Sequence, residues 1–336
     1  MNRPPGGDRF KPPAALPRGF FYSRHIRPIE EIKDMESVMN EQRLRVAIQK
    51  SGRLSDATLD LLKNCGLKIM KPKDRLITHV KNMPIDLLFV RDDDIPGLVM
   101  DGVVDLGFAG DNIVQEVQLK RKGRNGSAKL KMLKKLDYGH CRLSIAFPEE
   151  KRYEGVEDLR DVTVATTYPN LTSAYLKEQG VEARIVQLKG SVEVAPRAGL
   201  SGAICDIVST GTTLEANGLK EVATIFRSSA VAIQKAESLS EEIQTLVDRL
   251  MVRINGVIQA KESKYIMLHA PKNKQDAIID LLPGAEKPTI LPLAGSLEMV
   301  AIHAVATETV FWETMEQIKA LGGSSILVLP IEKMLG

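Results

Sequence analysis

The chain has 336 residues with 46 basic and 43 acidic side chains, and a formal net charge of +3 is small for that length. So small a charge does not indicate a nucleic-acid or membrane surface, and no apolar run approaches the length of a membrane span. The length predicts two or three domains. Three scattered cysteines, Cys65, Cys141 and Cys205, give neither a disulfide framework nor a zinc pattern. We expect a cytoplasmic protein that binds neither nucleic acid nor membrane.

Residues 1–40 differ in composition from the rest of the chain. They contain six prolines and several arginines, and Asp8 is the only acid before Glu30. Such a segment cannot bury enough apolar surface to offset its ordering entropy. The sequence therefore predicts a disordered N-terminal extension over 1–40, and Met39 is an alternative start of the native protein.

The first predicted strand covers residues 44–48 and ends in a loop with Lys50, Gly52 and Arg53, after which a helix begins. A basic, glycine-containing loop at the carboxyl end of a strand is typical of a polyanion site. Exposed basic residues in a loop are also often only solvated, and the loop by itself does not decide between the two.

Two further apolar runs, 85–90 and 103–110, predict the next strands. The acids at 92–94 lie between them, and we interpret them as capping a helix, since adjacent carboxylates point in different directions and do not form a calcium loop. The basic segment 120–131 lacks aromatic residues and predicts a solvated loop rather than a nucleic-acid surface.

Strands are also predicted at 141–147 and 161–166, and the second of these ends in a hydroxyl-rich turn and a helix. Tyr168 lies in that turn, where an aromatic ring either stacks on a base or packs in the core.

The same order of strand, hydroxyl-rich turn and helix recurs at 203–214. Backbone N–H groups and hydroxyls at such a turn can hold a phosphate monoester without a metal. Asp206, just before the turn, would repel phosphate but can accept hydrogen bonds from the hydroxyls of a sugar. The alternative is that the turn only caps a helix. The candidate phosphate ligands are Ser209, Thr210, Gly211, Thr212 and Thr213.

Alternating strands and helices predict an open α/β sheet, and two groups of candidate binding residues predict two lobes with a cleft. We assign 41–140 and 231–240 to lobe I and 141–230 to lobe II. A capping box at Ser238 starts a long helix that we interpret as the beginning of a separate unit, 241–336. The order βαββαβ within that unit predicts a ferredoxin-like domain, with Phe311, Met315 and Ile318 in its core.

The stretch 193–214 resembles the signature of ATP phosphoribosyltransferase, the first enzyme of histidine biosynthesis. The family pattern of Glu, five residues and Gly, followed by Asp and then Thr-Gly-x-Thr-Leu, matches Glu193, Gly199, Asp206 and residues 210–214 without a gap. Similarity to the long form of this family extends from about Arg43 to the C-terminus. The resemblance implies a two-lobed region like a type II periplasmic binding protein and a C-terminal, ACT-like regulatory domain.

The resemblance also implies the reaction, in which N1 of the adenine of ATP attacks 5-phosphoribosyl-1-pyrophosphate and pyrophosphate leaves. Glu193 and Asp206 would be catalytic and hold the ribose hydroxyls, and the turn at 209–213 would bind the 5-phosphate. Mg²⁺ would bind pyrophosphate oxygens, with no metal ligand assigned on the protein. The implied ATP and pyrophosphate site consists of Lys50, Gly52, Arg53, Arg91, Asp93, Asn112 and Tyr168.

Regulation is implied in the same way. Long-form relatives bind L-histidine as an inhibitor at contacts between subunits, which implies a homo-oligomer, from dimer to hexamer. The candidate effector residues are His269, Ala270, Thr289 and Ser325.

Two alternatives remain open from the residues alone. Two-lobed sheets also serve as ligand sensors without catalysis, and another phosphoribosyltransferase would use the same sugar phosphate with a different base.

Overall fold

The structure is a computed structural model that describes residues 42–70, 76–122, 129–282, 288–306 and 312–335. The predicted disorder of 1–40, residues 123–128 of the predicted basic loop and the core position of Phe311 lie outside the described residues. The predicted loop is shorter than 120–131, since a helix continues to Arg121 and a strand begins at Leu130.

Helices separate most of the successive strands in the described part of the chain. In chain order the strands are β1 (Leu44–Gln49), β2 (Ile77–His79), β3 (Ile85–Val90), β4 (Leu106–Gly110), β5 (Leu130–Lys135), β6 (Cys141–Pro148), β7 (Thr163–Thr166), β8 (Arg184–Gln187), β9 (Ala203–Val208), β10 (Leu219–Ser228), β11 (Ala230–Lys235), β12 (Lys264–Pro271), β13 (Thr289–Pro292), β14 (Met299–Ala306) and β15 (Ser324–Pro330). The helices are α1 (Arg53–Asn64), α2 (Ile95–Met100), α3 (Asp111–Arg121), α4 (Pro169–Glu178), α5 (Thr212–Ala216), α6 (Glu241–Glu262), α7 (Gln275–Ile279) and α8 (Trp312–Ala320).

Three sheets organise the chain. The first has the order β2-β3-β1-β4-β11-β5, the second β10-β6-β9-β7-β8, and the third β13-β14-β12-β15. β11 returns to the first sheet and pairs antiparallel with β4 and β5. The third sheet is antiparallel throughout, which with its βαββαβ order is the ferredoxin-like topology. The predicted fold of two α/β lobes and a C-terminal ferredoxin-like domain is confirmed.

The first sheet positions its loops by parallel pairing. β1 pairs parallel with β3 and with β4, so the carboxyl ends of all three strands meet at one edge. Helix α1 packs its apolar face, which includes Leu59 and Leu62, on the same core as Val46 and Ile48 of β1. Gly52 precedes α1 with a φ of 99°, a conformation that favours glycine and allows the chain to turn sharply from β1 into the helix.

The long helix α6 packs on lobe I, whereas the sequence predicted that it begins the C-terminal unit. Ile243, Val247, Leu250 and Ile254 on its buried face belong to the core of the first sheet. Helical periodicity identified this apolar face correctly, but periodicity does not say which core the face covers. The predicted boundary at 241 therefore separates a helix from the lobe in which it is packed.

Helix α3 links the two lobes. It follows β4 of the first sheet directly, yet Ile113 belongs to the core cluster of the second sheet, with Val117 and Leu119 packed against it. The lobes are therefore joined by a packed helix at one place as well as by connecting chain. No helix in the described part of the chain is long and apolar enough to cross a membrane.

Candidate active site

The predicted basic residues of lobe I collect at the carboxyl edge of the first sheet. Gln49 and Val90 are paired in register, so Lys50 and Arg91 begin neighbouring loops, and the Lys50 N–H donates to the Val90 carbonyl at 2.8 Å. Lys50, Arg53 and Arg91 are all exposed. These three cations at one edge are candidate contacts for a polyanion.

The acids after β3 form a short 3₁₀ turn over Asp92–Asp94 that leads directly into α2, where the prediction placed a cap. No side-chain hydrogen bond caps either helix, so the acids act at most through their charge. Burial and the neighbouring Asp92 carboxylate raise the pKa of Asp93, while Arg91 opposes the shift.

In lobe II the parallel pairing of β7 with β9 places two side chains together. Thr166 is paired with Cys205, so the next residues, Thr167 and Asp206, are neighbours, and the Thr167 side chain hydrogen-bonds to the Asp206 carboxylate. Burial, and then the nearby charge of Glu193, raise the pKa of Asp206. The structure thus brings Glu193 and Asp206 together, although thirteen positions separate them in the sequence.

The hydroxyl-rich turn after β9 is exposed at Ser209, Thr210 and Thr213. Gly211 adopts a left-handed conformation, with a φ of 93°, immediately before α5. The hydroxyls of Thr210 and Thr212 lie 3.0 Å apart. The first N–H groups of a helix have no partner within the helix, so the turn presents donors and hydroxyls to solvent beside Asp206.

The position of Tyr168 does not fit the prediction that its ring stacks on a base. It is 7% exposed and lies in the second core, so its ring packs, which was the other interpretation of the sequence. Its hydroxyl accepts a hydrogen bond from Asn112 Nδ2 at 3.0 Å. Burial, followed by the charge of Asp206, raises the pKa of Tyr168, and the charges of Asp92 and Asp93 act in the same direction.

Asn112 likewise differs from its predicted place on the rim of the ATP pocket. It is 4% exposed. Its Oδ1 accepts a hydrogen bond from the Ser228 hydroxyl at 2.8 Å, and its backbone N–H donates to the oxygen of that hydroxyl at 3.0 Å. Asn112 and Tyr168 therefore form a buried hydrogen bond between the lobes. The charges of Asp206 in lobe II and of Asp92 and Asp93 in lobe I all act on Tyr168, so the acids of both lobes lie near this bond.

A second bond between the lobes was missed from the sequence. Glu116 on α3 accepts from the backbone N–H groups of Asn170 and Leu171, at 2.9 and 2.8 Å, and from Asn170 Nδ2 at 2.6 Å. The carboxylate thereby occupies the N-terminus of α4. Two parallel strands of lobe II, β7 and β9, lead into α-helices, and the turn before α4 is filled by a side chain of the protein. A lone glutamate on a helix carries no sequence signal for such a contact.

Replacing Glu116 with alanine is expected to lower the free energy of unfolding by about 1–2 kcal/mol, because two N–H groups at the N-terminus of α4 lose their acceptor. Urea titration followed by circular dichroism measures the change. Gln115→Ala on the same helix is the matched control, since Gln115 bonds only within α3 in the described structure. Equal stability of Glu116→Ala and wild type would contradict the assigned cap.

The candidate effector residues do not all lie together. His269 is paired with Ser324, the neighbour of Ser325, so these two positions are adjacent, and Ser325 has a positive φ of 51°. Thr289 lies on the edge strand β13, with β14 between it and β12. The side chain of Ala270 is buried in the core of the third sheet, so only its backbone can contact a ligand.

Metal ligands and cysteines give no further site among the described residues. No group of three or more His, Cys, Asp or Glu side chains in those ranges could hold a metal ion. Cys205 is fully buried, and burial raises the pKa of its thiol to about 12, as expected for a core residue rather than a nucleophile.

The three sheets define the class of two-lobed α/β proteins with a C-terminal ferredoxin-like domain, and in this chain the carboxyl ends of parallel strands carry polar and charged loops in both lobes. A sequence model of the family described as ATP phosphoribosyltransferase matches residues 91–256, and a model of the C-terminal domain of the same family matches residues 260–333. The chain belongs to this family, whose members catalyse the first step of histidine biosynthesis.

One solved structure agrees with this assignment. The chain is similar to one in the ATP phosphoribosyltransferase HisG:HisZ complex from Thermotoga maritima, with 28% identity and a TM-score of 0.51 over 63% of this chain and 98% of that chain. Similarity to a histidine kinase sensor domain resembling periplasmic binding proteins has 13% identity and a TM-score of 0.42, over 65% of this chain and 90% of that one.

Proposed function

We propose that the cleft transfers the 5-phosphoribosyl group of 5-phosphoribosyl-1-pyrophosphate to N1 of the adenine of ATP, with the sugar phosphate on lobe II and ATP and pyrophosphate on lobe I. The contrast between the two turns of lobe II supports this orientation. The turn before α4 is filled by Glu116, whereas the turn at 209–213 presents its hydroxyls to solvent beside Asp206. Phosphate at this second turn places the ribose next to Glu193 and Asp206.

The two carboxylates then have a chemical role. They accept hydrogen bonds from the ribose hydroxyls, and their negative charge stabilises the positive charge that develops on the anomeric carbon as the bond to pyrophosphate breaks. Adenine N1 already has a lone pair, so the reaction needs no general base. Orientation of the two substrates lowers the barrier further.

On the lobe I side, Lys50, Gly52, Arg53 and Arg91 would bind the triphosphate of ATP and the leaving pyrophosphate, with Asp93 beside them. We assign Asn112 and Tyr168 to setting the distance between the lobes, since both are buried in the bond that joins them. Mg²⁺ would enter with the pyrophosphate oxygens. The described residues do not form a metal site of their own.

The assay is the appearance of phosphoribosyl-ATP absorbance when ATP, the pyrophosphorylated sugar and Mg²⁺ are mixed with the protein. Product is expected with ATP, and a reaction only with another base would mean that the base assignment is wrong. Sugar binding without any turnover would favour the sensor alternative.

Thr213→Val is expected to raise the KM for the sugar substrate about tenfold, because one hydroxyl of the phosphate turn is replaced by a methyl group. Steady-state kinetics with the sugar varied at saturating ATP measures the change. Thr245→Val is the control, since Thr245 bonds only within α6 in the described structure. An unchanged KM in Thr213→Val would mean that the phosphate binds elsewhere.

Regulation is part of the proposal. L-Histidine would inhibit the enzyme at the C-terminal domain of a homo-oligomer, up to a hexamer, at a site distant from the cleft. Because His269 and Ser325 are adjacent while Thr289 lies on the sheet edge, Thr289 would contribute only where a second subunit completes the site. We expect Ser325→Trp to weaken histidine inhibition at least tenfold in a dose-response assay while the uninhibited rate and the assembly state remain unchanged. Inhibition that competes with ATP and survives this substitution would place histidine in the cleft.

A further inference from the structure

An ion pair lies directly beneath the proposed phosphate turn. Arg142, near the start of β6, is paired with Val208 at the end of β9, and its Nη1 donates to the Ser209 carbonyl at 2.9 Å. Its Nε and Nη2 donate to the two carboxylate oxygens of Glu221 at 2.6 and 2.5 Å. One guanidinium therefore joins β10 to the first residue of the turn.

Glu221 is itself held in place on β10. Its Oε1 accepts from the hydroxyls of Ser144 and Thr224 at 2.8 and 3.2 Å. The hydrogen bond from Arg142 is the largest cause that lowers the pKa of Glu221, to about 2. The carboxylate is therefore ionised at every pH at which the enzyme would work. Ser144 is also the register partner of Asp206, so the same network lies under the ribose end of the site.

We propose that Arg142, oriented by Glu221, is a positioning residue that fixes the Ser209 carbonyl away from the bound phosphate. The proposal rests on the proposed function, since it assumes that the sugar phosphate binds at the turn. A carbonyl oxygen that turned toward the anion would repel it. With the carbonyl held by the guanidinium, the N–H groups and hydroxyls that follow Ser209 face the phosphate instead.

The geometry distinguishes this contact from an ordinary surface ion pair. The two side chains are only 28% and 25% exposed, and the guanidinium uses three donors in fixed directions, one of them on the backbone of the turn. A planar fork can satisfy a carboxylate with two donors and a carbonyl with another, whereas a lysine ammonium is a point charge without that geometry. The network thus orients the turn in addition to joining strands.

The test compares Arg142→Ala, Arg142→Lys and Glu221→Gln with wild type. Arg142→Ala is expected to raise the KM for the sugar substrate ten- to thirty-fold while the KM for ATP changes less than twofold. Arg142→Lys should restore part of this loss, because one donor can still reach the carbonyl. Glu221→Gln should give a smaller increase, since the amide oxygen still accepts from Arg142.

The matched control is Arg160→Ala, which removes an exposed arginine of the same lobe whose partner is Glu157. A role limited to stability would lower the thermal midpoint of Arg142→Ala and leave its KM for the sugar substrate unchanged. That result, or an equal rise in the KM for both substrates, would overturn the proposal.

A binding measurement separates this proposal from the proposed function. Titration of ribose 5-phosphate followed by calorimetry needs no turnover, and wild type is expected to bind it at least ten times more tightly than Arg142→Ala. Absence of turnover in wild type, with this difference in binding intact, would overturn the proposed reaction and leave the positioning role supported. Normal turnover with equal ribose 5-phosphate binding in both proteins would overturn the positioning role alone.

Discussion

Asp206→Asn is expected to reduce kcat by about 10²- to 10³-fold, the magnitude typical of losing one preorganised electrostatic contact to a transition state. Asparagine keeps the shape of the side chain and can still accept a hydrogen bond from Thr167. What it removes is the negative charge next to the carbon that becomes positive as pyrophosphate leaves. Steady-state kinetics at saturating ATP and sugar substrate measures the change, with Asp60→Asn on the exposed side of α1 as the matched control.

The folded state provides an independent check of this variant. Burial raises the pKa of Asp206, so the folded protein binds that proton more tightly than the unfolded chain does, and the ionised carboxylate lowers the free energy of unfolding at neutral pH. Asp206→Asn should therefore melt at the same temperature as wild type or higher at pH 7. The difference should disappear as the pH falls below the unfolded pKa of about 3.9.

The raised pKa of Asp206 also predicts the pH dependence of the wild-type enzyme. Because the reaction needs Asp206 ionised, kcat/KM for the sugar substrate should fall on the acid side at a pH above the ordinary aspartate pKa. Full activity of the folded asparagine variant would remove Asp206 from the reaction, whereas a variant that lost both activity and thermal stability would show only that the substitution damages the fold.

A chain that ends at Gln234 is expected not to fold, although the proposed catalytic residues all precede that position. Such a chain lacks α6, whose Ile243, Val247, Leu250 and Ile254 are at most 6% exposed on the first core. Burial of four such side chains is worth roughly 6–12 kcal/mol, and a whole domain is typically stable by only about 5–15 kcal/mol. Loss of the thermal transition in circular dichroism, together with protease sensitivity, is the expected result.

A chain that ends at Glu262 is the control, because it keeps α6 and removes only the ferredoxin-like domain. It loses one contact of the tail, where the Met334 carbonyl passes so close to Gly256 that any Cβ there would overlap it. We expect the longer chain to show a cooperative transition. Cooperative unfolding of the chain ending at Gln234 would mean that α6 is dispensable to lobe I.

Local sequence patterns were sufficient for the strands that precede the candidate ligands and for one half of the site. The strand, turn and helix at 203–214 appear where hydrophobic runs and hydroxyl-rich turns predicted them, and Gly211 adopts the left-handed conformation for which glycine is suited. The basic loop at 50–53 follows β1 as expected. These features depend on residues within a few positions of one another, which is the range over which backbone preference and side-chain alternation act.

Contacts between distant segments could not be obtained in this way. The core that α6 covers, the burial of Asn112 and Tyr168 between the lobes, and the Glu116 carboxylate at the start of α4 all join residues tens of positions apart. Arg142 and Glu221 are separated by 79 positions, and neither differs in its own neighbourhood from an ordinary charged residue on a strand.

The sequence by itself therefore determined the strands and turns that carry the candidate ligands and the chemical character of each ligand, because these follow from local pattern. Only the tertiary structure decided which side chains form bonds between the lobes and which remain available to a ligand. The reason is that a hydrogen-bond donor or a carboxylate has the same chemistry in the sequence whether its partner is a substrate or another strand, and the packing of the sheets alone determines which of the two it meets.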